Sequence, residues 1–346
     1  ALLGVLNVKH FFVRLFGLAG KVVILDEVHS YDIYTGTLLD ELVKTLINLK
    51  CTVIILSATL TTERTASIMS VPPQDISNKC YPLITTKHDD DINLEKAAPP
   101  ASKTIRIEFA DYNSAEVARD AVKKAESTQC VVCIANTINT AQEWYKRIKS
   151  EMVEGSFDTG LLHSRFPAWR RDEIEKYWIK KLGKNGSREK GCVLVATQVV
   201  EQSIDIDADY MITELAPSDM LLQRIGRLWR HENLSRSTDE ACIKIITKAI
   251  CTSRTKEELI EKIGKSNSHV YSPYILWRTY MHWKKYNSIT LPDDIRTMLE
   301  STYCELENEP DYISDIHEDL NKEKEKLRTL AVANRSGNQG LPAGDD

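Results

Sequence analysis

The sequence predicts an α/β fold in which the strands of parallel sheets alternate with helices. The first observation is a set of short apolar runs, such as residues 22–25 (VVIL), 130–134 (CVVCI) and 192–196 (CVLVA). Runs of this kind are typical of strands that are buried on both faces of a parallel sheet. The second observation is that segments with helical apolar spacing, such as residues 36–49, lie between these runs. A strand, a helix and another strand in succession form the unit from which parallel sheets are built.

Two series of such elements follow one another along the 346 residues. The first series has a helix over residues 3–18, a strand over 22–25, a helix over 36–49 and a strand over 51–56. In the second series, the predicted strands cover residues 104–110, 130–137, 159–164, 191–197, 210–215 and 241–247, and the predicted helices cover 114–127, 138–152, 169–183 and 219–230. A polar stretch with prolines lies between the two series. We interpret it as a connecting segment, because such residues favour loops.

These patterns predict five segments with different roles. They are a first unit over residues 1–85, a linker over 86–103, a second unit over 104–250, a mostly helical region over 251–333 and a disordered tail over 334–346. The linker prediction depends on the charges and prolines of TKHDDDINLEKAAPPASK. The tail prediction depends on the polar residues, glycines and proline of NRSGNQGLPAGDD.

The composition is that of an ordinary globular protein, with 42% hydrophobic and 27% charged residues. No uncharged apolar window is long enough to span a membrane. The net charge of −5 neither supports nor excludes nucleic-acid binding, because an acidic protein can carry a basic groove. The eight cysteines are scattered, which favours reduced thiols and a cytoplasmic location. Cys130 and Cys133 form a CxxC pair, but no second pair completes a zinc site, so we interpret them as core residues.

Polar residues follow both predicted strands of the first series. Asp26, Glu27 and His29 come after the first strand, and Ser57 and Thr59 come after the second. Ligands of parallel α/β sheets bind at the carboxyl ends of the strands, where we expect these side chains. Asp26 is suited to hold Mg²⁺, and Glu27 is suited to deprotonate an attacking water. Each short motif alone is also compatible with an ordinary polar turn at the end of a strand.

A second set of polar residues is a candidate for nucleic-acid contacts. Thr197 ends the strand over 191–197, and Gln202 lies in the loop after it. His163 and Ser164 end the strand over 159–164, and Arg165 follows it. Hydroxyl, amide and guanidinium groups are the side chains that contact phosphates without reading sequence. The alternative is a solvated polar loop at each position.

Two arginines near residue 230 are candidates for phosphate chemistry. Gln223, Arg227 and Arg230 are spaced by four and three residues, which predicts that they share one face of a helix. Arginines directed into a cleft neutralise the charge that develops on a transferred phosphoryl group. Asp205 is suited to accept a hydrogen bond from a ribose hydroxyl. A basic surface helix is the alternative, and the GKS at residues 264–266 lacks the preceding glycine of a phosphate loop.

Together these motifs resemble those of superfamily 2 helicases. The strings DEVH, SAT, TQVVEQSIDID and QRIGRLWR occur in the order of helicase motifs II, III, V and VI. Longer strings, among them DEVHSYD, LLHSRFPAWRRDEIE and ELAPSDMLLQRIGRLWRH, are similar to the CRISPR-associated helicase–nuclease of type I systems. The resemblance covers the chain from its first residue to about residue 333. It implies RecA-like parallel sheets, with part of a first lobe, a complete second lobe and a helical linker region after them.

The resemblance also implies roles for the candidate residues. Asp26 and Glu27 would be the Mg²⁺-holding and water-activating acids, and His29, Ser57 and Thr59 would couple the nucleotide state to the second lobe. Asp205, Gln223, Arg227 and Arg230 would face ATP from the second lobe, and the residues after strands 159–164 and 191–197 would contact single-stranded DNA. The implied partners are the RNA-guided surveillance complex and an HD nuclease with a phosphate loop, in cis or in trans.

The chain departs from that family in two respects. It contains no GxxxxGK[ST] phosphate loop, and we expect it to lack the His-Asp pair of the nuclease. Because the chain also begins with alanine, we expect a fragment that binds ATP poorly alone and whose first unit exposes apolar surface. The alternatives are a DNA-binding or regulatory subunit of a split helicase, and another superfamily 2 helicase.

Overall fold

The computed structural model describes residues 11–28, 33–78, 80–201, 204–232, 234–304 and 309–334. Contacts divide the chain into two compact units. Unit 1 comprises the residues up to Ala97 together with those from Ser314 onward, and unit 2 comprises Ala98–Ile313. The described part of the chain has no helix that is long and apolar enough to cross a membrane. The predicted tail lies outside the described residues, apart from Asn334.

Unit 1 is built on a parallel pair of short strands. Strand β1 (Val22–Leu25) pairs in register with β2 (Thr52–Ile55), and the helices are α1 (Phe11–Leu18), α2 (Ile33–Asn48) and α3 (Thr62–Met69). The side chains of Val23 and Leu25 point into a core with Leu39, Leu42 and Leu46 of α2. Those of Val22 and Ile24 are 63% and 60% exposed. The prediction that β1 is buried on both faces is therefore wrong, because α2 covers one face only.

The segment predicted as a linker contains a β-hairpin. Strands β3 (Leu83–His88) and β4 (Asp91–Lys96) pair antiparallel, and Asp89 adopts the left-handed conformation in the turn. Only residues 97–102 run without helix or strand before unit 2 begins its first strand. The expectation that the chain lacks a His-Asp pair is also wrong, since His88 and Asp89 form one. Their side chains are 94% and 92% exposed at the turn, as expected for a solvated loop tip.

Unit 2 contains a seven-stranded sheet, which confirms the predicted α/β fold. Its strands are β5 (Lys103–Ala110), β6 (Cys130–Ile134), β7 (Asp158–Leu162), β8 (Cys192–Ala196), β9 (Tyr210–Glu214), β10 (Ala241–Ile246) and β11 (Ser288–Leu291). Their order in the sheet is β11-β5-β10-β9-β6-β8-β7. All pairings are parallel except that of β11, which lies antiparallel to β5 at the edge of the sheet. Strand β11 falls in the region predicted to be helical, which is a correction to that prediction.

Helices flank this sheet and continue beyond it. Those of unit 2 are α4 (Ser114–Glu126), α5 (Ile138–Glu151), α6 (Ala168–Leu182), α7 (Ser218–Ile225), α8 (Lys256–Ile263), α9 (Lys265–Val270), α10 (Pro273–Trp283) and α11 (Ile295–Tyr303). Helix α12 (Asp311–Ala333) follows in the chain and belongs to unit 1 from Ser314 onward. Strands β6, β8 and β9 are buried at every residue, with Trp144 and Ile148 of α5 packed in the same core as Val131 and Val193. Cys130 and Cys133 are fully buried, as predicted for core residues.

Candidate functional site

The acidic candidates lie at the carboxyl edge of the small sheet in unit 1. Because Leu25 pairs with Ile55 in the parallel register, the residues that follow β1 and β2 leave the sheet at the same edge. The backbone N–H of Glu27 donates to Asp26 Oδ1 at 2.9 Å, and Glu27 has a positive φ of 55°. Such a backbone conformation is rare for a residue with a side chain and clusters at functional sites. Val28 is buried and fixes the end of this acidic turn in the core.

The other unit 1 candidates are only partly described. Ser57 and Thr59 follow β2 at the same edge, and Thr59 is 8% exposed. The hydroxyl of Thr59 is buried and has no hydrogen-bond partner among the described residues. Tyr81 donates its hydroxyl to Ala58 O at 3.1 Å, which ties this loop to the start of the hairpin. His29 lies outside the described residues.

The nucleic-acid candidates gather at the carboxyl edge of the large sheet. Leu162 of β7 and Ala196 of β8 are paired, and Thr197 N–H donates to Leu162 O at 3.2 Å. Ser164 and Arg165 are therefore close to Thr197 in the sheet and are exposed. Gln202 lies outside the described residues, and Thr197 itself is 3% exposed.

His163 differs from its two neighbours in the same loop. Its ring is buried and stacks on Phe166 with 4.3 Å between ring centroids. Burial lowers the pKa of His163, so the ring is neutral at pH 7. The buried His163 ring therefore holds this loop, and Ser164 and Arg165 are the exposed candidates beside it.

Helix α7 ends earlier than the spacing of the sequence predicts. It stops at Ile225, so Arg227 and Arg230 do not continue the helical face that begins with Gln223. Ala208 N–H donates to Arg227 O at 2.8 Å, and Trp229 has a positive φ of 48°. The carbonyl of Arg227 therefore accepts from Ala208, in another segment, and not from a residue further along a continued helix. The predicted shared helical face is therefore wrong for the two arginines.

Lys103 at the start of β5 also binds the segment that follows the end of α7. Its ammonium group donates to Leu228 O at 2.7 Å. Burial lowers the pKa of Lys103 to about 8, with Arg230 and Arg236 acting in the same direction and Asp207 opposing it. The segment after α7 is thus held by the partly buried ammonium group of Lys103 as well as by backbone hydrogen bonds.

Both arginines have partners within unit 2. Arg227 Nη2 donates to Glu201 O at 2.8 Å. Arg230 Nε lies 2.8 Å from Asp205 Oδ1, and their side chains are 40% and 50% exposed. The structure therefore brings together Arg230 and Asp205, two residues that the sequence places in different motifs. An exposed pair of this kind contributes at most about 1 kcal/mol, so Arg230 can leave Asp205 at small cost.

The sequence did not reveal a buried network around Arg224, the neighbour of Gln223. Arg224 is 0% exposed and donates to side chains and carbonyls from four segments. Its acceptors are Glu201 Oε1 at 2.7 Å, Thr213 Oγ1 at 2.6 Å, Glu214 O at 3.0 Å, Asn136 Oδ1 at 3.1 Å and Tyr271 OH at 3.3 Å. Burial raises the pKa of Glu201 above the ordinary carboxyl value, although Arg224 lowers it in part. The only sequence signal was an arginine inside an otherwise apolar helical pattern.

A second ionic cluster supports the segment between β9 and β10. Arg236 donates to Asp207 at 2.6 Å and to Asp209 at 2.7 Å, and its guanidinium lies 4.8 Å from the centre of the Trp229 ring. Arg188 donates to Asp209 as well. Asp207 and Asp209 are almost fully buried, and pairing with arginine compensates the cost of burying their charge.

The residues present fit a nucleotide with a magnesium ion. The coupling candidate Thr59 in unit 1 has a buried hydroxyl, and the ATP-binding candidate Gln223 in unit 2 has a buried Nε2 amide, each without a hydrogen-bond partner among the described residues. Buried polar atoms of this kind are normally paired, so an external ligand group would complete them. The described residues contain no cluster of three or more His, Cys, Asp or Glu side chains placed to hold a metal. Mg²⁺ needs only one or two carboxylates when nucleotide phosphates and water supply its other ligands.

The fold and the pattern of edge residues resemble those of RecA-like helicases. A family model described as "CRISPR-associated nuclease/helicase Cas3, C-terminal" matches residues 127–233. The chain is 34% identical over 335 residues to the CRISPR-associated endonuclease/helicase Cas3 of Escherichia coli K12, and the match covers 91% of this chain. It is 30% identical over 377 residues to that of Thermus thermophilus, with 95% of this chain covered. The resemblance to the Cas3 family stated from the sequence is thereby confirmed, and the similarity extends over most of this chain.

Solved structures give the same result. The structure of T. fusca Cas3 with AMPPNP superposes with a TM-score of 0.85 at 29% identity and covers 96% of this chain. A CRISPR RNA-guided surveillance complex in a pre-nicking state contains a chain that superposes with a TM-score of 0.80 at 28% identity. The chain spans 36% and 39% of the lengths of the two curated relatives.

Proposed function

We propose that the chain is the motor portion of an ATP-dependent helicase that translocates on single-stranded DNA in type I CRISPR interference. The observation that carries this proposal is the division of charged residues between two sheet edges. One edge carries the acids Asp26 and Glu27, and the unit with the other edge carries Arg227 and Arg230. Acids that activate water and arginines that neutralise phosphate charge are the two kinds of group that phosphoryl transfer requires.

The acidic half would act on the attacking water and the metal. Asp26 would hold Mg²⁺ directly or through water, and Mg²⁺ would neutralise charge on the nucleotide phosphates. Glu27, which has a positive φ of 55°, would accept a proton from the attacking water. Ser57 and Thr59 would link this acidic turn to the state of the nucleotide, and His29 would take part in the same link.

The arginine half would act on the γ-phosphate. Arg227 and Arg230 would stabilise the charge that develops during transfer. Gln223 would offer the nucleotide its Nε2 amide, which has no partner among the described residues. Arg230 would exchange Asp205 for a phosphate oxygen, which frees the Asp205 carboxylate to accept from a ribose hydroxyl. The Arg230–Asp205 ion pair would thus be the arrangement without nucleotide, and the two residues would contact different parts of the nucleotide when it binds.

The carboxyl edge of the large sheet would hold DNA through its phosphates. Ser164, Arg165, Thr197 and Gln202 supply groups that contact the backbone, and His163 supports their loop. Because none of these contacts reads a base edge, we expect binding without sequence preference. The partners would be the surveillance complex and an HD nuclease with a phosphate loop, in the cytoplasm.

One observation favours a second candidate function. The 346 residues contain no GxxxxGK[ST] loop, and the backbone N–H groups of such a loop are the usual cradle for nucleotide phosphates. A DNA-binding or regulatory subunit that meets a separate phosphate-loop chain would also show these features. The reading frame that precedes Ala1 in the gene distinguishes the two candidates.

The proposal is tested by replacing Arg230 in the complete gene product. We expect Arg230→Ala to lower the rate of DNA-stimulated ATP hydrolysis by about 10³-fold or more, because the γ-phosphate loses its arginine. The dissociation constant for single-stranded DNA should change less than about twofold, since phosphate contacts lie elsewhere. Steady-state ATPase rates and fluorescence anisotropy with a labelled oligonucleotide measure the two effects.

A matched arginine gives the control for this experiment. Arg170→Ala removes an exposed arginine of α6 that pairs with Glu173, and it should leave the ATPase rate unchanged. A normal ATPase rate with lost DNA binding in Arg230→Ala would show that Arg230 holds DNA and not the nucleotide.

A further inference from the structure

We propose that Arg224 is a positioning residue that connects the nucleic-acid edge of unit 2 to Arg227. The inference rests on the proposed function, because it assigns a task within the same ATPase site. All five N–H groups of the Arg224 guanidinium have an acceptor within 3.3 Å. A side chain held in this way has one orientation, so a shift in any of its partners is transmitted to the others.

The first side of the network reaches the loop after β8. Gln198 directly follows the candidate DNA contact Thr197, and its amide donates to Asn136 O at 2.9 Å and to Tyr271 OH at 3.3 Å. Asn136 Oδ1 and Tyr271 OH also accept from Arg224 Nη2. A change at Thr197 therefore reaches Arg224 through two shared partners.

The second side of the network reaches the predicted catalytic arginine. Glu201 accepts from Arg224 through its carboxylate at 2.7 Å, and it accepts from Arg227 through its backbone oxygen at 2.8 Å. Since one residue holds both arginines, the position of Arg227 depends on the position of Glu201. Removing the Arg224 contact releases the Glu201 side chain and also leaves its carboxylate buried without that partner.

Tyr271 connects the network to a segment outside the TQVVEQSIDID and QRIGRLWR motifs. It lies between α9 and α10, in the region that the sequence predicts as a helical linker. Its neighbour Asn267 donates to Glu214 Oε1 at 3.1 Å, and Glu214 Oε2 accepts from Asn136 N–H at 2.6 Å. The region after β10 therefore contacts the network at two points, which allows a partner bound to that region to influence the ATPase arginines.

A comparable buried arginine shows what a purely structural network looks like. Arg278 of α10 is 3% exposed and donates to Tyr274 OH at 3.0 Å, Glu309 Oε1 at 3.2 Å and Ser301 O at 2.9 Å. All of these partners belong to residues 274–309, and none of them is a candidate site residue. Arg224 and Arg278 are thus both buried and both donate to a tyrosine, a glutamate and a backbone carbonyl. In the described part of the chain, only the partners of Arg224 contact candidate site residues, which makes Arg278 a matched control.

The experiment compares Arg224→Lys with Arg278→Lys in the complete gene product. Lysine keeps the charge but supplies fewer donors without the planar geometry, so both variants should have a lowered melting temperature. We expect Arg224→Lys alone to lower the DNA-stimulated kcat by about tenfold, the size of a typical coupling between sites. The KM for ATP and the Kd for single-stranded DNA should each change less than about twofold.

A milder pair of variants covers the case in which Arg224→Lys does not fold. Tyr271→Phe removes one acceptor from the network, and Tyr280→Phe removes a hydroxyl that lies near Cys251 and Lys284 instead. We expect reduced DNA stimulation in Tyr271→Phe and normal stimulation in Tyr280→Phe. Equal stimulation in both, or in both lysine variants, would show that Arg224 is only structural. A wild-type protein without DNA-stimulated ATPase activity would instead contradict the proposed function and the inference together.

Discussion

The two units contain similar apolar strands that are buried to different extents. In β1 of unit 1, alternate residues are buried and exposed, whereas every residue of β6, β8 and β9 in unit 2 is buried. The sequences VVIL and CVLVA do not reveal this difference, since both are entirely apolar. The difference comes from the surroundings of each strand, because both faces of β6, β8 and β9 are covered in unit 2. An apolar run therefore predicts a strand, but the rest of the fold decides how many of its faces are buried.

The same contrast extends to the candidate site residues. Asp26 and Glu27 in unit 1 are exposed and are held by a short local turn between Leu25 and Val28. Arg227 in unit 2 is held by Glu201, which is itself bound by the buried Arg224. The acidic residues depend on the local backbone, whereas the arginine depends on long-range contacts. Mutations far from the site should therefore disturb the arginine side more often than the acidic side.

The largest effect that we predict concerns the core of unit 2. Trp144→Ala should lower the free energy of unfolding by about 3–5 kcal/mol, because it leaves a cavity in a fully buried part of α5. All six tryptophans lie in unit 2, so tryptophan fluorescence during urea unfolding reports on this unit, while far-UV circular dichroism reports on both.

A second tryptophan serves as the control for this prediction. Trp169 is 67% exposed on α6, and Trp169→Ala should change the free energy of unfolding by about 0.5 kcal/mol or less. If both variants were equally unstable, the fully covered core of unit 2 would not be the source of its stability.

Long-range contacts explain which elements the sequence could not predict. The six parallel strands of unit 2 were predicted, because each is an apolar run next to a helical pattern. Strand β11 was not, since four residues at the edge of a sheet have too little periodicity to be recognised. The hairpin over 83–96 was missed because it is polar and mostly exposed. The end of α7 was missed because Ala208 and Lys103, which are distant in sequence, bind the carbonyls that a longer helix would use.

The second prediction uses pH to test the contact of Lys103 with the segment after α7. Burial gives Lys103 a pKa of about 8 in the folded protein, below the ordinary lysine value of 10.5. The unfolded chain therefore binds more protons than the folded protein between these values, and the contribution of Lys103 to stability rises as the pH increases from 8 to 10.5. Below pH 8 the folded protein holds a buried charge, so this gain is absent.

Urea unfolding of the wild type and Lys103→Met at pH 7.5 and pH 10 measures this effect. We expect the wild type to gain stability relative to the variant between the two pH values, by about 3 kcal/mol at most. Taking the difference between the two proteins removes the titration of the groups that they share. An equal pH dependence in both would show that Lys103 keeps an ordinary pKa and that the segment after α7 does not depend on its burial.

The smallest effect that we predict compares two neighbouring residues on β1. Val23 is buried against α2, so Val23→Thr places a hydroxyl in an apolar core and should cost about 1–3 kcal/mol. Ile24 is 60% exposed on the opposite face, and Ile24→Thr should change stability by about 0.5 kcal/mol or less. Far-UV circular dichroism during urea unfolding compares the two variants. A large loss of stability in Ile24→Thr would mean that another surface covers this face in solution, and the contrast between the two sheets would then disappear.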